Sequence, residues 1–223
     1  MKINFKDKAY ELVKRFNNIR NPYPYTKEMI SKKFIFIHIP KTAGSSINSI
    51  LGINKHGRRH LSWRIYQQAN RYYFKNFFKF AIVRDPYTRL LSSYNYLKKG
   101  GNKKEDLVLA KYLSKHAPDF EAFVINFLDP SKMSLHNLLK PQSYFLCSLD
   151  GQIKVDHISK LESLENDFNY VKERLNLDYI ELPRLNTLSN HDDVIRKNES
   201  IQNRIYDLYK EDYKNFHYHI INE

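Results

Sequence analysis

Two short continuous apolar runs stand out along the chain, separated by segments with helical spacing. The run Phe34–Ile39 is apolar apart from His38, and Phe80–Val83 is apolar throughout. Such runs are typical of strands buried on both faces of a parallel sheet. Pro40 has no N–H to donate to a ladder, so the first strand should end there. We expect a third strand over Ile153–Ile158.

Amphipathic segments around these runs predict helices. Pro86–Lys98 opens with a proline, a favourable residue for a first turn, and carries an apolar stripe. Further helices are predicted over 3–19, 45–52, 63–73, Phe120–Leu128, Leu135–Leu139, 161–175 and Glu199–Tyr213. Lys98–Asp106, KKGGNKKED, has the composition of a mobile surface loop. Strands that alternate with helices predict an α/β fold, a three-layer sandwich with a mainly parallel central sheet flanked by helices.

The length of 223 residues suits one domain with a substantial core. We expect a helical amphipathic extension over residues 1–30 and the main domain over 31–223. Packing on the main domain is the favoured role of this extension, and contact with a membrane surface is the alternative. The extension lacks the continuous apolar stretch of a signal peptide, and no apolar run approaches the roughly 18 residues of a membrane span.

The chain is strongly basic, with 37 Lys and Arg against 24 Asp and Glu and a formal net charge of +13. This charge attracts nucleic acid, anionic membranes, polyanionic cofactors or acidic polysaccharides, and composition alone does not choose among them. Cys147 is the only cysteine, which excludes an intramolecular disulfide and suits a reducing compartment. Because no Cys/His cluster has zinc spacing, we expect no metal.

The turn after the first strand has the layout of an anion-binding loop. It reads Lys-Thr-Ala-Gly-Ser-Ser over residues 41–46. Gly44 permits tight backbone geometry, Ser45 or Ser46 can cap the following helix, and Lys41 adds a full charge. Free N–H groups at such a turn suit a phosphate or sulfate. The spacing is not that of a Walker A loop, GxxxxGK[ST], and an ordinary βα turn with a solvated lysine is the alternative.

A second motif, FAIVRDPYTRLLSSY over residues 80–94, places Arg84 at the end of the other buried strand. α/β folds bind ligands at the carboxyl ends of strands, and a guanidinium suits bidentate binding of phosphate. A serine hydroxyl of the next helix, from Ser92 or Ser93, can complete the site. The alternative is a local ion pair between Arg84 and Asp85 beside a solvated serine.

Together, HIPKTAGSS and VRDPYTRLLSSY resemble the motifs of the sulfotransferases that use 3′-phosphoadenosine 5′-phosphosulfate (PAPS). The chain is similar to the carbohydrate and glycosaminoglycan-type, family 2-like branch, which includes uronyl 2-O- and chondroitin sulfotransferases. The similarity runs from residue 34 to the C-terminus, more weakly over 156–168, 182–189 and 205–218. It implies a P-loop-NTPase-like fold and transfer of a sulfuryl group from PAPS to a hydroxyl of a carbohydrate, whether glycan, polysaccharide or glycolipid. Because no membrane anchor is evident, we expect a bacterial enzyme of the cytoplasm.

Carried over residue by residue, the resemblance implies two phosphate sites and a transferring lysine. The 5′-phosphosulfate would be held by Lys41, Thr42, Ala43, Gly44, Ser45 and Ser46. Arg84 and Ser92 would hold the 3′-phosphate. Lys41 would also neutralise charge on the bridging oxygen as the nucleotide leaves.

A general base must accept the proton of the acceptor hydroxyl, and histidine titrates close to neutral pH. The segment GINKHGRRHLSW contains His56 and His60, and related enzymes often carry a histidine of this role here. We favour His60, with His56 second. A structural role for these histidines, or an Asp or Glu base, is the alternative. His38 is close to the loop and is most simply structural.

Other residues near the expected site have two possible roles each. An anionic acceptor could be contacted by Arg58, Arg59, Arg64, Lys98, Lys99, Lys103 and Lys104, for which solvated surface charge is the alternative. Trp63 could stack on a sugar or pack in the core.

Three other interpretations stay open. A kinase or other P-loop NTPase would need the Walker spacing, which the chain lacks. A basic nucleic-acid-binding protein would explain the charge but leaves both motifs as coincidence, and we expect no nucleic acid because no signature of such a module is present. The third is a sulfotransferase-like protein without activity.

Overall fold

The computed structural model describes residues 23–53, 60–102, 104–177 and 198–220. Its strands are β1 Phe34–Ile37, β2 Phe78–Val83 and β3 His157–Lys160. Its α-helices are α1 Lys27–Ser31, α2 Gly44–Ile50, α3 Trp63–Ala69, α4 Arg71–Asn76, α5 Pro86–Lys98, α6 Lys104–His116, α7 Phe120–Ala122, α8 Pro130–Leu135, α9 Gln142–Leu146, α10 Leu164–Asp167, α11 Asn169–Leu175, α12 Glu199–Leu208 and α13 Lys210–Asn215. A π-helical turn, Phe123–Phe127, continues α7, and a 3-10 turn, Leu161–Ser163, precedes α10.

The three described strands form one parallel sheet in the order β1-β2-β3. Phe34 pairs with Phe78 across the first ladder, and Phe80 pairs with His157 across the second. All four residues of β1 are buried, and because successive side chains point to opposite faces, both faces of the sheet are covered. The predicted α/β class, with a parallel sheet flanked by helices, is therefore confirmed.

The continuous apolar runs and the amphipathic pattern of α5 locate these elements well, with small differences at the ends. Strand β1 ends at Ile37, two residues before the end of the apolar run, and β2 begins earlier than predicted, at Phe78. Strand β3 begins at His157 instead of Ile153, because Ile153 forms an isolated antiparallel bridge with Cys147.

Several predicted helices are interrupted. The predicted helix over 63–73 divides at Asn70, whose side chain caps α4 by accepting from the N–H of Tyr73. The one over 161–175 begins as a 3-10 turn and divides at Phe168, and the last one divides at Tyr209. The predicted helix over 3–19 and the segment 182–189 lie outside the described residues.

Two predictions between the strands are wrong. The predicted surface loop ends earlier than expected, because α6 begins at Lys104 and Asp106 lies buried in its first turn. The predicted helix Leu135–Leu139 is a turn: α8 ends at Leu135, and the N–H of Leu138 bonds to the His136 side chain instead of continuing the helix. Among the described residues, no helix is long and apolar enough to cross a membrane.

The buried apolar residues of the described chain form two clusters. The first surrounds the sheet and includes β1 and β2, and Tyr25 and Met29 at the start of the described chain belong to it. The second lies among helices and includes Leu90 of α5 and Ile205 of α12. The helical cluster therefore backs the segment that follows α8, whose Leu138 and Leu139 are part of it.

A buried carboxylate ties this helical layer to the end of β2. Asp212 of α13 is fully buried and accepts from the backbone N–H groups of Gln142 (2.7 Å) and Ser143 (2.8 Å) and from the Ser143 hydroxyl (2.6 Å). The Gln142 side chain then donates to the carbonyl of Arg84 (2.7 Å) and accepts from the N–H of Arg84 (2.9 Å). The side-chain amide of Gln142 thus binds both the N–H and the carbonyl of Arg84.

Arg89 of α5 binds the backbone just before α9. It is fully buried, and its guanidinium donates to the carbonyls of Lys140 (2.7 Å) and Leu138 (3.4 Å). Burial raises the pKa of Asp212, while the Arg89 charge and the hydrogen bonds to the carboxylate act in the opposite direction. The Arg89 charge therefore offsets part of the cost of burying the Asp212 carboxylate.

Replacing Asp212 with alanine should lower the free energy of unfolding by about 3–5 kcal/mol, because it leaves a buried arginine uncompensated. Urea unfolding followed by circular dichroism measures this change. The matched control is Asp207→Ala on the exposed side of α12, which should change the free energy of unfolding by less than about 0.5 kcal/mol. Equal stability of the two variants would contradict the bracing role of Asp212.

Candidate active site

A cavity of about 570 Å³ lies where β1 and β2 end. The residues predicted to bind phosphate that line it are Lys41, Ala43, Gly44, Ser45, Ser46, Arg84 and Ser92. They come from two strand–loop–helix segments that are far apart in sequence and meet because their strands are parallel neighbours. Of the residues predicted to bind the donor, Thr42 alone does not line this cavity.

Thr42 instead fixes the shape of the loop. Its side chain is fully buried, and its hydroxyl donates to the carbonyl of Ile39 (3.0 Å). On either side of it, Lys41 (φ 68°) and Ala43 (φ 58°) adopt the left-handed conformation, which residues with a side chain rarely adopt. Such strained turns cluster at functional sites, where the surrounding structure holds them in place.

The loop directs backbone donors towards the cavity. The N–H groups of Ser46 and Ile47 bond to the carbonyl of Ala43 at 3.0 and 3.3 Å. Over the described ranges, the N–H groups of Gly44 and Ser45 make no hydrogen bond to the protein. Both residues line the cavity beside Lys41, so these donors are available to an anionic group.

Gly44 is required by the close approach of a buried ring. A Cβ added at this position would lie 1.9 Å from Cδ2 and 2.0 Å from Nε2 of His38. His38 is itself buried, stacked on Phe36 with ring centroids 5.8 Å apart, and accepts a hydrogen bond at Nδ1 from the Asn48 amide (3.2 Å). The imidazole therefore cannot move away easily, and only glycine fits at position 44. His38 has the structural role predicted for it and also lines the cavity.

Arg84 extends from the end of β2 towards the loop. Its Nε donates to the hydroxyl of Thr88 (3.1 Å), and its Nη1 donates to the carbonyl of Lys41 (3.4 Å). The carboxylate of Asp85 caps α5 by accepting from the N–H of Thr88 (3.0 Å). The two serines that follow differ in role: Ser92 lines the cavity, whereas Ser93 is buried and donates to backbone carbonyls.

His60 lies next to His38 at the same cavity. The two rings are 4.6 Å apart in a T-shaped arrangement, and Nδ1 of His60 bonds to the carbonyl of His38 (3.2 Å). A carbonyl can only accept, so Nδ1 carries the proton and Nε2 is the basic nitrogen of the neutral ring. The other candidate base, His56, lies outside the described residues, as do Arg58, Arg59 and Lys103.

The rest of the cavity wall was not predicted from the sequence. Apart from Pro40, which ends the first predicted strand, it consists of Tyr96 on α5, Glu105 and Asp106 on α6, Leu135 at the end of α8, His136, Asn137 and Leu138 after it, and Leu161 in the 3-10 turn. Tyr96 follows Ser92 by one helical turn, a spacing that could have indicated it. Glu105, Asp106 and residues 135–138 lie in segments for which the sequence predicts a surface loop and a helix, so the sequence carries no local signal for them.

One of the residues considered for acceptor binding, Trp63, has a structural role instead. Trp63 is buried, and its indole N–H donates to the carbonyl of Cys147 (2.9 Å), so it packs in the core and does not line the cavity. Lys98 donates to the carbonyl of Pro118 (2.9 Å).

Thiol chemistry is not indicated at this site. Burial raises the pKa of the Cys147 thiol to about 11, which leaves it protonated at neutral pH, and Cys147 does not line the cavity. Among the described residues, no group of three or more His, Cys, Asp or Glu side chains could hold a metal ion.

The fold and the cavity define an α/β protein with a polar cleft, lined by Lys41 and Arg84 among others, at the carboxyl ends of parallel strands. The sequence model of the Sulfotransferase family matches residues 30–219, and the chain therefore belongs to this family. It is similar to carbohydrate sulfotransferase 12 of Xenopus laevis, with 30% identity over 165 residues that cover 63% of this chain and 38% of the relative. The chain thus spans well under half the length of that relative. No solved structure matches the chain significantly.

Replacing Gly44 with alanine should lower the free energy of unfolding by about 1–3 kcal/mol, because the new methyl group overlaps the His38 ring. Urea unfolding followed by circular dichroism measures this change. The double variant Gly44→Ala, His38→Ala is the control, because it removes the ring that the methyl group meets. The double variant should lose less free energy of unfolding than the two single variants lose together. A loss equal to that sum would contradict the steric explanation.

Proposed function

We propose that the protein transfers a sulfuryl group from PAPS to a hydroxyl of a carbohydrate acceptor. The observation that carries this proposal is the meeting of the loop 41–46 with Arg84 and Ser92 in one cavity, in a chain of the Sulfotransferase family. The name of the relative, a carbohydrate sulfotransferase, supports a carbohydrate as the acceptor. The family also favours this proposal over a kinase or a nucleic-acid-binding module.

The donor set of the cavity suits a nucleotide with two separate anionic groups. PAPS supplies the activated sulfuryl group, whose transfer to an oxygen leaves adenosine 3′,5′-bisphosphate. The amides of Gly44 and Ser45, the hydroxyls of Ser45 and Ser46, and the Lys41 ammonium would bind the 5′-phosphosulfate. Arg84 and Ser92 would bind the 3′-phosphate. The glycine at position 44 allows the loop to pack closely against His38, and this packing would hold the loop amides in place for the anion.

Lys41 and the loop amides would contribute mainly electrostatic stabilisation. Negative charge grows on the leaving phosphate oxygen during transfer, and a fixed ammonium with fixed N–H donors stabilises it without reorganisation. The left-handed backbone at residues 41 and 43 and the buried Thr42 hydroxyl hold these donors in position before the donor binds.

His60 would act as the general base. The hydrogen bond from its Nδ1 to the His38 carbonyl orients the ring and leaves Nε2 to accept the proton of the acceptor hydroxyl. His38 would serve as the support for this ring. The cytoplasm remains the proposed location, supported by the single buried cysteine, which suits a reducing compartment.

Replacing Lys41 with alanine should reduce transfer by about 10²–10³-fold or more, because the developing charge loses its cation. The assay is transfer of label from PAPS to a panel of glycans that differ in charge, with circular dichroism to verify folding. Lys32→Ala, an exposed lysine after α1, is the matched control and should transfer label at the parent rate. Parent-like turnover of the Lys41 variant would refute the assignment, and failure of the parent to bind adenosine 3′,5′-bisphosphate would refute the proposed donor.

Replacing His60 with alanine should lower kcat by about 10²–10⁴-fold and leave the affinity for adenosine 3′,5′-bisphosphate nearly unchanged, because a base acts on the acceptor. Steady-state kinetics and calorimetric titration separate the two quantities. His219→Ala, an exposed histidine near the C-terminus, is the control. A variant that loses nucleotide affinity while keeping its turnover at saturation would assign His60 to donor binding instead.

A further inference from the structure

The side chain of Lys41 lies against an aromatic ring of a different element. Its Nζ is 4.6 Å from the ring centroid of Tyr96 on α5, within the range of a cation–π contact. Both residues line the cavity. The Tyr96 ring therefore contacts the Lys41 ammonium inside the cleft. Tyr96 and Ser92 are on the same helix.

Tyr96 is in turn held by a buried carboxylate. Its hydroxyl donates to Oδ2 of Asp106 (2.6 Å) and accepts from the N–H of Asn102 (2.8 Å). Asp106 is only 4% exposed, and its other oxygen, Oδ1, lies 3.1 Å from Nε2 of His136. Nδ1 of His136 accepts from the N–H of Leu138 (3.2 Å). The two nitrogens of this imidazole thus link the Asp106 carboxylate to the backbone after α8.

The close fit around Asp106 indicates that this arrangement is rigid. Gly101 has a left-handed φ of 63°, and a Cβ there would lie 2.3 Å from Cβ of Asp106. The segment before α6 is therefore packed directly against the carboxylate. His136 is held through Leu138, whose carbonyl accepts from Ser93 and Arg89. The contacts thus continue from the Tyr96 ring to the buried helical layer.

We propose that Tyr96, fixed by Asp106 and His136, is a positioning residue that holds the Lys41 ammonium at the 5′ side of the donor site. An aromatic face attracts a cation without neutralising it, whereas a carboxylate in direct contact would compete with the phosphosulfate. Here the Asp106 carboxylate accepts from the Tyr96 hydroxyl, and Lys41 lies over the face of the same ring. The hydrogen bond from the hydroxyl to the carboxylate polarises the ring and strengthens the attraction.

This inference rests on the proposed function, and nucleotide binding separates the two. The parent protein, Tyr96→Leu and Tyr96→Phe are titrated with adenosine 3′,5′-bisphosphate and with adenosine 3′-monophosphate, which lacks the 5′ group. Tyr96→Leu should lower the affinity for the bisphosphate by about three- to tenfold, the range of one cation–π contact. It should leave the affinity for the monophosphate unchanged. Tyr96→Phe keeps the ring without its anchor and should fall between parent and Tyr96→Leu.

Two controls identify Lys41 as the group on which Tyr96 acts. In a Lys41→Ala background, Tyr96→Leu should cause no further loss of bisphosphate affinity. Tyr72→Leu, a largely exposed tyrosine on α4, should bind both nucleotides like the parent. Thermal unfolding verifies that each variant is folded. If Tyr96→Leu is not folded, the same titrations are made with Tyr96→Phe in the parent and in the Lys41→Ala protein.

Equal weakening of both nucleotides, an undiminished effect without Lys41, or no change in either Tyr96 variant would overturn the positioning role. The proposed function would stand in each of these cases, because it requires only that the parent binds the bisphosphate. A parent protein that binds neither nucleotide would refute the proposed function itself.

Discussion

The parallel pairing of β1 with β2 is the constraint on which the candidate site depends. Its register places Ile37 beside Ala81, so the two strands end at the same edge of the sheet. The loop after β1 and Arg84 after β2 therefore meet, and Nη1 of Arg84 reaches the carbonyl of Lys41. Two segments that are separate in sequence therefore line one cavity.

Buried polar groups in the helical layer then determine how firmly each part of the cavity is held. Asp212 positions Gln142, and Gln142 bonds to both backbone groups of Arg84. Asp106 holds Tyr96 in a comparable way on the other part of the wall. In both cases a carboxylate that would be costly to bury alone is compensated by several donors, and the hydrogen bonds fix the residues that line the cavity.

The sequence predicted the parts of the site that depend on local pattern. Strands β1 and β2 follow from continuous apolar runs, α5 follows from its proline and its stripe, and the two motifs indicated the family. The prediction failed where long-range contacts override local preference. Leu138 and Leu139 have the composition of a helix, but the turn that contains them is held by Arg89, His136 and the helical cluster.

By itself, the sequence determined the strand–loop–helix around Lys41, the arginine at the end of the second strand and the membership of a sulfotransferase family. These features are local, since each is set by a few consecutive residues and their periodicity. Only the tertiary structure decided that Gly44 must accommodate His38, that Asp106 and His136 line the same cavity as the loop, and that Lys41 lies over the ring of Tyr96. These are contacts between elements, and they depend on the packing of the whole chain, which no short segment encodes.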